Sequence, residues 1–395
     1  MNTERWDIAI AGGGLAGGLI ALALRQRRPE LKVALVEQGE TLGGNHRWSW
    51  FASDLDREGT MLLETVRKLE WDEGYEVRFP AYRRHLRTNY RSMHSGDFDA
   101  ALQRDLASDG LFLRRAVKSV DADGIELADG ERINARAAID CRGFVPSAHL
   151  AGGWQLFMGR HVRLPRPHGL ARPLIMDANV AQHGAYRFVY VLPLGAYELF
   201  VEDTYYADSE ALDRSALSRR LDEYCAAHGW AGDILGSETG VLPVLTGGDH
   251  AAYRADMEVP GVALAGTRGL FGHPLTSYSL PQALRVALLV AENADLPGDQ
   301  LAALLAAHSR AHWRATKFYR KLGRMLFQAA RPEERYRIFE RFYRLPAPLI
   351  ERFYAARSTR LDRMRILCGK PPVPIGKAVA ALGANGTPLA ERRAA

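Results

Sequence analysis

An apolar strand, glycine turn and helix over residues 8–24, an apolar strand over 33–37 that closes on an acid, and a second strand, glycine and helix passage over 261–293 predict an α/β fold. Its nucleus is a Rossmann-type dinucleotide-binding domain, which is discontinuous because its last strand lies far downstream. A strand-rich middle supplies a β-sheet substrate domain, and a helical, basic C-terminal region completes the chain.

The first unit reads element by element. Gly12 permits the tight turn, Gly14 lets backbone approach a pyrophosphate, and Gly17 lets helix and strand pack closely. The helix behind them, with Leu15 and Ala16 in its opening turn, aims free N–H groups and its positive dipole end at phosphates. Glu37 follows Gly17 by about 20 residues, where a carboxylate can accept from ribose hydroxyls. That acid disfavours a cofactor carrying a ribose 2′-phosphate. The chain then leaves through turn formers and aromatics at 41–51, passes strand-like stretches at 75–79 and 111–120, and makes a hairpin at 121–130 with Asp-Gly at each end. A buried strand at 135–140 ends on Asp140-Cys-Arg-Gly143. The late strand, 261–265, runs into Gly266-Thr-Arg-Gly269 and a long apolar helix at 280–293. A site framed by two helix ends suits an extended dinucleotide such as FAD.

These signals divide the chain into 1–50 with 96–145 and 255–297 as the cofactor domain, and 51–95 with 146–254 as the substrate domain. Residues 298–369 form a helical region, and the Pro/Gly-rich 370–395 read as a disordered tail. Composition narrows the partners. The formal net charge is +6, and residues 331–370 carry all of it, with Tyr336, Phe339, Phe342, Tyr343, Phe353 and Tyr354 interleaved. Rings and arginines at helical spacing suit an anionic membrane surface, or else a helix with rings packed inward. No nucleic-acid module accompanies the patch. The uncharged stretch at 8–24 holds five glycines behind Asp7, so it reads as neither signal peptide nor membrane span. Cys141, Cys225 and Cys368 are far apart, which suggests no disulfide framework or metal site and fits a cytoplasmic setting.

Residues 197–204 alternate as a strand: Glu198, Phe200, Glu202 and Thr204 share one face, and Leu199, Val201 and Asp203 the other. On a solvated strand end these acids are unremarkable turn residues. Facing an apolar tunnel, desolvation and like charge would raise a carboxyl pKa and keep a proton available near neutral pH. His273, before Pro274, could orient a flavin or substrate, or be a hydrogen-bonded structural histidine. Tyr278, Phe271, Trp48 and Trp50 could stabilise a cation by their ring faces. Arg268 could counter an anionic reduced flavin or form an ion pair.

The chain resembles the FAD-dependent lycopene β-cyclases. The resemblance rests on Gly12-x-Gly14-x-x-Gly17, Gly44-Asn-His-Arg-Trp48, Asp140-Cys-Arg-Gly143 with Pro146, Phe200-Val-Glu-Asp-Thr204, and the run from Gly266 to Pro281, in family order. Departures fall at Arg47 and Leu275, where the family commonly has threonine, and at Gly269, where it often has alanine. The resemblance implies reduced FAD with NAD(P)H as reductant, lycopene or a related acyclic carotenoid taken from a membrane surface, and acid-catalysed ring closure without net redox change. It also allows contact with other carotenoid enzymes. It assigns Glu202 as acid or base, with Asp203 beside it and His273 in the same site, and it puts the cofactor on Gly12, Gly14, Leu15, Ala16, Gly17, Glu37, Asp140, Gly266, Arg268 and Thr276. The competing classes are an FAD monooxygenase or prenyl reductase, which would consume NAD(P)H in proportion to product, and a lipid carrier built on a decayed nucleotide fold.

Overall fold

The computed structural model describes residues 5–369, 374–383 and 386–391. Trp6–Ala11 lies at the centre of the first sheet, parallel to Val33–Val36 on one side and Arg132–Asp140 on the other. Val262–Leu264 then joins Arg132–Asp140 in parallel, pairing Ala138 with Val262. Strands this apolar are covered on both faces, as a parallel sheet requires. On one face helix Leu15–Arg27 packs against the late helix Leu280–Glu292, burying Leu19, Ile20, Leu22 and Leu24 with Leu284 and Val290. The predicted hairpin is present: Val117–Asp121, Gly124–Leu127 and Arg132–Asp140 form an antiparallel meander through turns at the two Asp-Gly pairs.

The second sheet runs in the order Asp233–Gly248, Leu150–Arg163, Glu198–Ala207, Tyr186–Gly195, Leu174–Asp177, Tyr75–Phe79 and Tyr82–Leu86. Period-two alternation divides its residues cleanly. Leu199 and Val201 face helix Arg214–Ala227 and pack with Leu221 and Cys225. Phe200 and Tyr206 face the other way, into a cluster shared with the C-terminal helices. A small sheet of Arg47–Phe51, Tyr90–His94 and Leu69–Trp71, interleaved in sequence with strands of the large ones, supplies several of the side chains discussed below.

One expectation needs correction and one alternative is decided. Of the two readings of 331–369, the inward one holds for four of its rings: Phe339, Tyr343, Phe353 and Tyr354 are buried, and Phe339 stacks on Tyr186 with centroids 4.3 Å apart. Arg335 is likewise buried and donates to the Phe327 carbonyl. Helical spacing reports that a helix has two faces, not which face meets water. The segment expected to be a disordered tail instead forms helix Ile375–Gly383, whose Ala381 packs near Ala329. Farther on, Thr387 O accepts from Gly152 N–H at 2.8 Å and Leu389 N–H donates to Leu150 O at 2.9 Å. Small apolar residues give this helix a face that fits closely, which Pro/Gly counting overlooked. The rest of that expectation, at 370–373, 384–385 and 392–395, lies outside the described residues.

Candidate active site

The glycine turn is built as its residue types require. Gly12 has φ +98°, and a Cβ there would stand 3.0 Å from the Cys141 backbone. At Gly17 a Cβ would lie 2.0 Å from Gly12 O, so this glycine closes the turn rather than facing a ligand. Gly14 has nothing within 4 Å of its Cβ position and opens onto a cavity of about 1070 Å³. The late turn meets the first directly, since a Cβ on Gly266 (φ +60°) would be 2.8 Å from Ala16 Cβ. It also holds Leu270 and Ser277 at positive φ, a backbone cost typical of functional loops.

The cavity exceeds the ~300–1,000 Å³ common for small-molecule sites. It is continuous from Gly12, Gly14, Leu15, Ala16 and Glu37, past Gly266 and Thr276, to Glu202. The Glu37 carboxylate accepts from Gly13 N–H and Gly39 N–H, both at 2.8 Å, so it braces the turn while bordering the cavity. Thr276 Oγ1 is buried without a partner. Asp140 and Arg268 do not border the cavity. Asp140 is held by Arg142 at 2.7 Å and by Arg268 at 3.4 Å, an internal ion pair behind the wall formed by Cys141, Arg142, Gly266 and Thr267.

At the far end the walls are aromatic. Trp154, Phe157, Phe188, Tyr190 and Phe339 border the cavity, as do three of the four predicted rings, Trp48, Phe271 and Tyr278. Trp50 is instead buried in the core around helix Leu15–Arg27. Tyr90 Oη bridges Tyr190 Oη (3.1 Å) and Tyr278 Oη (3.0 Å), and Tyr190 donates to Ser49 Oγ at 2.7 Å. Glu202 projects among these groups and accepts from Thr204 Oγ1 at 2.6 Å. Burial first, then the charge of Glu238, pushes the Glu202 carboxyl up to about 8, against the opposing pull of the Thr204 hydrogen bond.

Asp203 and His273 are placed differently from Glu202. Asp203 is fully buried on the opposite face, gripped by Arg187 Nε and Nη2 at 2.8–2.9 Å, and it does not reach the cavity. His273 borders the cavity, but both ring nitrogens are engaged. Nδ1 accepts from Leu275 and Thr276 N–H, which leaves Nε2–H to donate to Phe353 O at 3.2 Å. Burial pushes its pKa down to about 3, so it is a neutral brace for the late turn and has no proton to give. Glu198, on the same strand face as Glu202, sits at the rim with His161 and Arg163. Glu238, Arg47 and two members of the tyrosine chain, Tyr90 and Tyr190, were not anticipated as site residues. Alternation along 233–248 could have marked the face of Glu238, but only strand pairing brings it near Glu202.

Residues 7–380 match the family model described as lycopene cyclase protein. Lycopene β-cyclase of Pseudescherichia vulneris is 44% identical over 94% of this chain and 96% of its own. The chain belongs to the lycopene cyclase family. Another relative, lycopene β-cyclase of Paracoccus sp. (strain N81106 / MBIC 01143), is 41% identical over 95% of this chain and 97% of its own. Among solved structures, this family member shares its fold with a geranylgeranyl bacteriochlorophyll reductase-like protein from Thermoplasma acidophilum (TM-score 0.58, 13% identity, 96% of this chain and 98% of that one). A flavin-dependent halogenase from Xanthomonas campestris has it too (TM-score 0.54, 12% identity, 96% and 94% covered). The mixed α/β architecture predicted from the two glycine turns is therefore a fold shared with flavoenzyme-like proteins.

Proposed function

We propose that this protein is a lycopene β-cyclase, closing the ψ-ends of lycopene into β-ionone rings by acid chemistry with no net redox change. The observation that carries the mechanism is Glu202: a carboxyl that keeps its proton at neutral pH, set in the aromatic end of a cavity that begins at the glycine turn. Glu202 Oε–H gives its proton to the terminal double bond, whose electron pair becomes the new C–H bond. The tertiary cation is attacked by the neighbouring double bond, forming the ring C–C bond. The ring cation then loses a proton to the Glu202 carboxylate, and the freed pair becomes the ring double bond. Atoms and charge balance, and the acid ends as it began. Aromatic faces at Phe157, Phe188 and Tyr190, on strand positions paired with Thr204 and Glu202, favour the cation and keep water away.

The cavity's other end fits FAD. Gly14 leaves the space a pyrophosphate needs, Thr276 Oγ1 awaits a hydrogen-bond partner, and Glu37 can take ribose hydroxyls with its remaining lone pairs. Leu15 and Ala16 place helix N–H groups there, while Asp140 and Arg268 act behind the wall by fixing its shape. FAD held there in reduced form, with NAD(P)H as electron source, would supply electron density that stabilises a cation. In this reading Asp203 and His273 hold the Glu202 strand and the late turn in place.

The substrate enters from lipid. No helix among the described residues is long and apolar enough to cross a membrane. Helix Arg360–Leu367 carries exposed Leu361, Met364 and Leu367 beside exposed Arg360 and Arg365, a face suited to an anionic bilayer surface. Glu202→Gln tests the central claim: it should abolish ring formation in lycopene-containing vesicles while flavin binding, read by absorbance, is unchanged. Retained cyclisation would remove Glu202 from the mechanism.

A further inference from the structure

Glu202 and Glu238 lie on strands that do not touch each other. Each pairs with the same residue, Gly159 of Leu150–Arg163, one from either side. Residues paired across a ladder point to one face of the sheet, so both carboxyls leave on the cavity side, with Cα atoms about 10 Å apart by strand spacing. Gly159 has no side chain to stand between them. The Phe200 ring covers that gap instead, 2.3 Å from the position a Cβ would take. Two acids thus flank a dry aromatic plug, with Glu238 itself only 5% exposed.

The groups around the pair are unevenly charged. On the Glu238 side stands Arg47, its guanidinium 5.4 Å from the Phe200 ring centroid, and its charge and its backbone amide both draw the Glu238 carboxyl down against burial. Beyond it are Asp97 and His94, the latter's pKa lowered by burial and by Arg47. On the Glu202 side are the neutral hydroxyls of Thr204 and Tyr190. Asp203, across the sheet, is already paired with Arg187. Cation and amide stabilise an ionised Glu238; nothing of the kind reaches Glu202.

We propose that Glu202 and Glu238 hold one proton between them, with Glu238 as the ionised positioning residue whose charge keeps that proton on Glu202. The proposal rests on the reading of Glu202 as the acid. Burial raises both carboxyls, Glu202 to about 8 with the charge of Glu238 adding to the rise, and Glu238 less far, to about 7, with Arg47 opposing it. They titrate as a pair, so the alkaline limb of the rate profile reports loss of the pair's last proton.

The test is the pH profile of ring formation by flavin-loaded enzyme for wild type, Glu238→Gln and Arg47→Met. Removing the neighbouring charge lets Glu202 ionise more readily. Glu238→Gln should therefore move the alkaline limb down by about one pH unit or more, a roughly fivefold or greater loss near pH 8 with the acid plateau kept within a few-fold. Arg47→Met removes the compensating cation and should move the limb upward. A limb that stays in place in folded Glu238→Gln, or a loss uniform across pH, overturns the proposal. Should Glu238→Gln fail to fold, Arg47→Met decides alone: an unmoved limb is refutation. Glu202→Gln, run alongside, separates the two claims. Activity in that variant sinks the acid assignment, whereas its inactivity with an unmoved Glu238→Gln limb sinks only the pair.

Discussion

Asp203 and Glu202 are adjacent in sequence and opposite in what their removal should do. Asp203→Asn leaves the Arg187 guanidinium, 5% exposed, without the carboxylate that takes both Nε and Nη2 at 2.8–2.9 Å. The acceptors left to it, the Ala181 carbonyl taken by Nη1 and the new amide oxygen, carry no charge. A buried ion stripped of its partner costs about 3–5 kcal/mol. Glu202→Gln works the other way. The folded state raises this carboxyl from its ordinary 4.5 to about 8, so its contribution to stability is complete below 4.5 and is lost as pH rises through 8. At neutral pH the native state bears that penalty, and the neutral amide should recover about 1–3 kcal/mol. The assay is the thermal midpoint at one fixed scan rate and neutral pH, with cyclisation measured per mole of folded protein. Asp203→Asn should lower the midpoint by roughly 5 °C or more and keep activity within about tenfold. Glu202→Gln should match or exceed the wild-type midpoint and show no cyclisation. An Asp203→Asn protein of wild-type stability but no activity would refute this division of labour and restore Asp203 as a chemical participant.

Three further outcomes can be checked directly. Gly14→Ala should weaken flavin binding several-fold without lowering the melting midpoint, because its Cβ enters the cavity, whereas Gly17→Ala should destabilise by about 1–3 kcal/mol, because its Cβ meets Gly12 O; flavin fluorescence and thermal melts separate the two. NAD(P)H consumption should not scale with rings formed, and one hydride consumed per ring would favour a reductase or monooxygenase. Serine at Leu361, Met364 and Leu367 together should reduce co-sedimentation with anionic vesicles at least several-fold, and unchanged sedimentation would move the lipid contact elsewhere.

The legible parts of this chain were those written locally. The Gly12–Gly17 turn, the acid at Glu37 and the matching turn at Gly266 depend on backbone needs that only glycine or a set spacing meets, so the sequence displays them. Glu202 was legible for the same reason, since alternation puts it opposite Leu199 and Val201. Glu238 was hidden because its meeting with Glu202 passes through Gly159 on a third strand, a fact of pairing rather than of any single segment. His273 and Asp203 have residue types suited to chemistry, yet hydrogen bonds to Leu275, Thr276 and Arg187 absorb them. The rings of the C-terminal helices had a period that left both sides open, because a helix alone does not say where the protein's interior lies.

The interrupted first sheet also bears on the order of events during biosynthesis. After Asp140 the chain departs to build most of another sheet and returns only with Val262–Leu264, whose following turn abuts Ala16. Until that return, the Ala138 edge waits unpaired and the second wall of the cavity does not exist. The proposed dinucleotide, held by both turns, would thus recognise only a chain whose distant segments have already come together. Cofactor uptake would in this way act as an inspection step, drawing completed molecules out of the pool of partly folded ones.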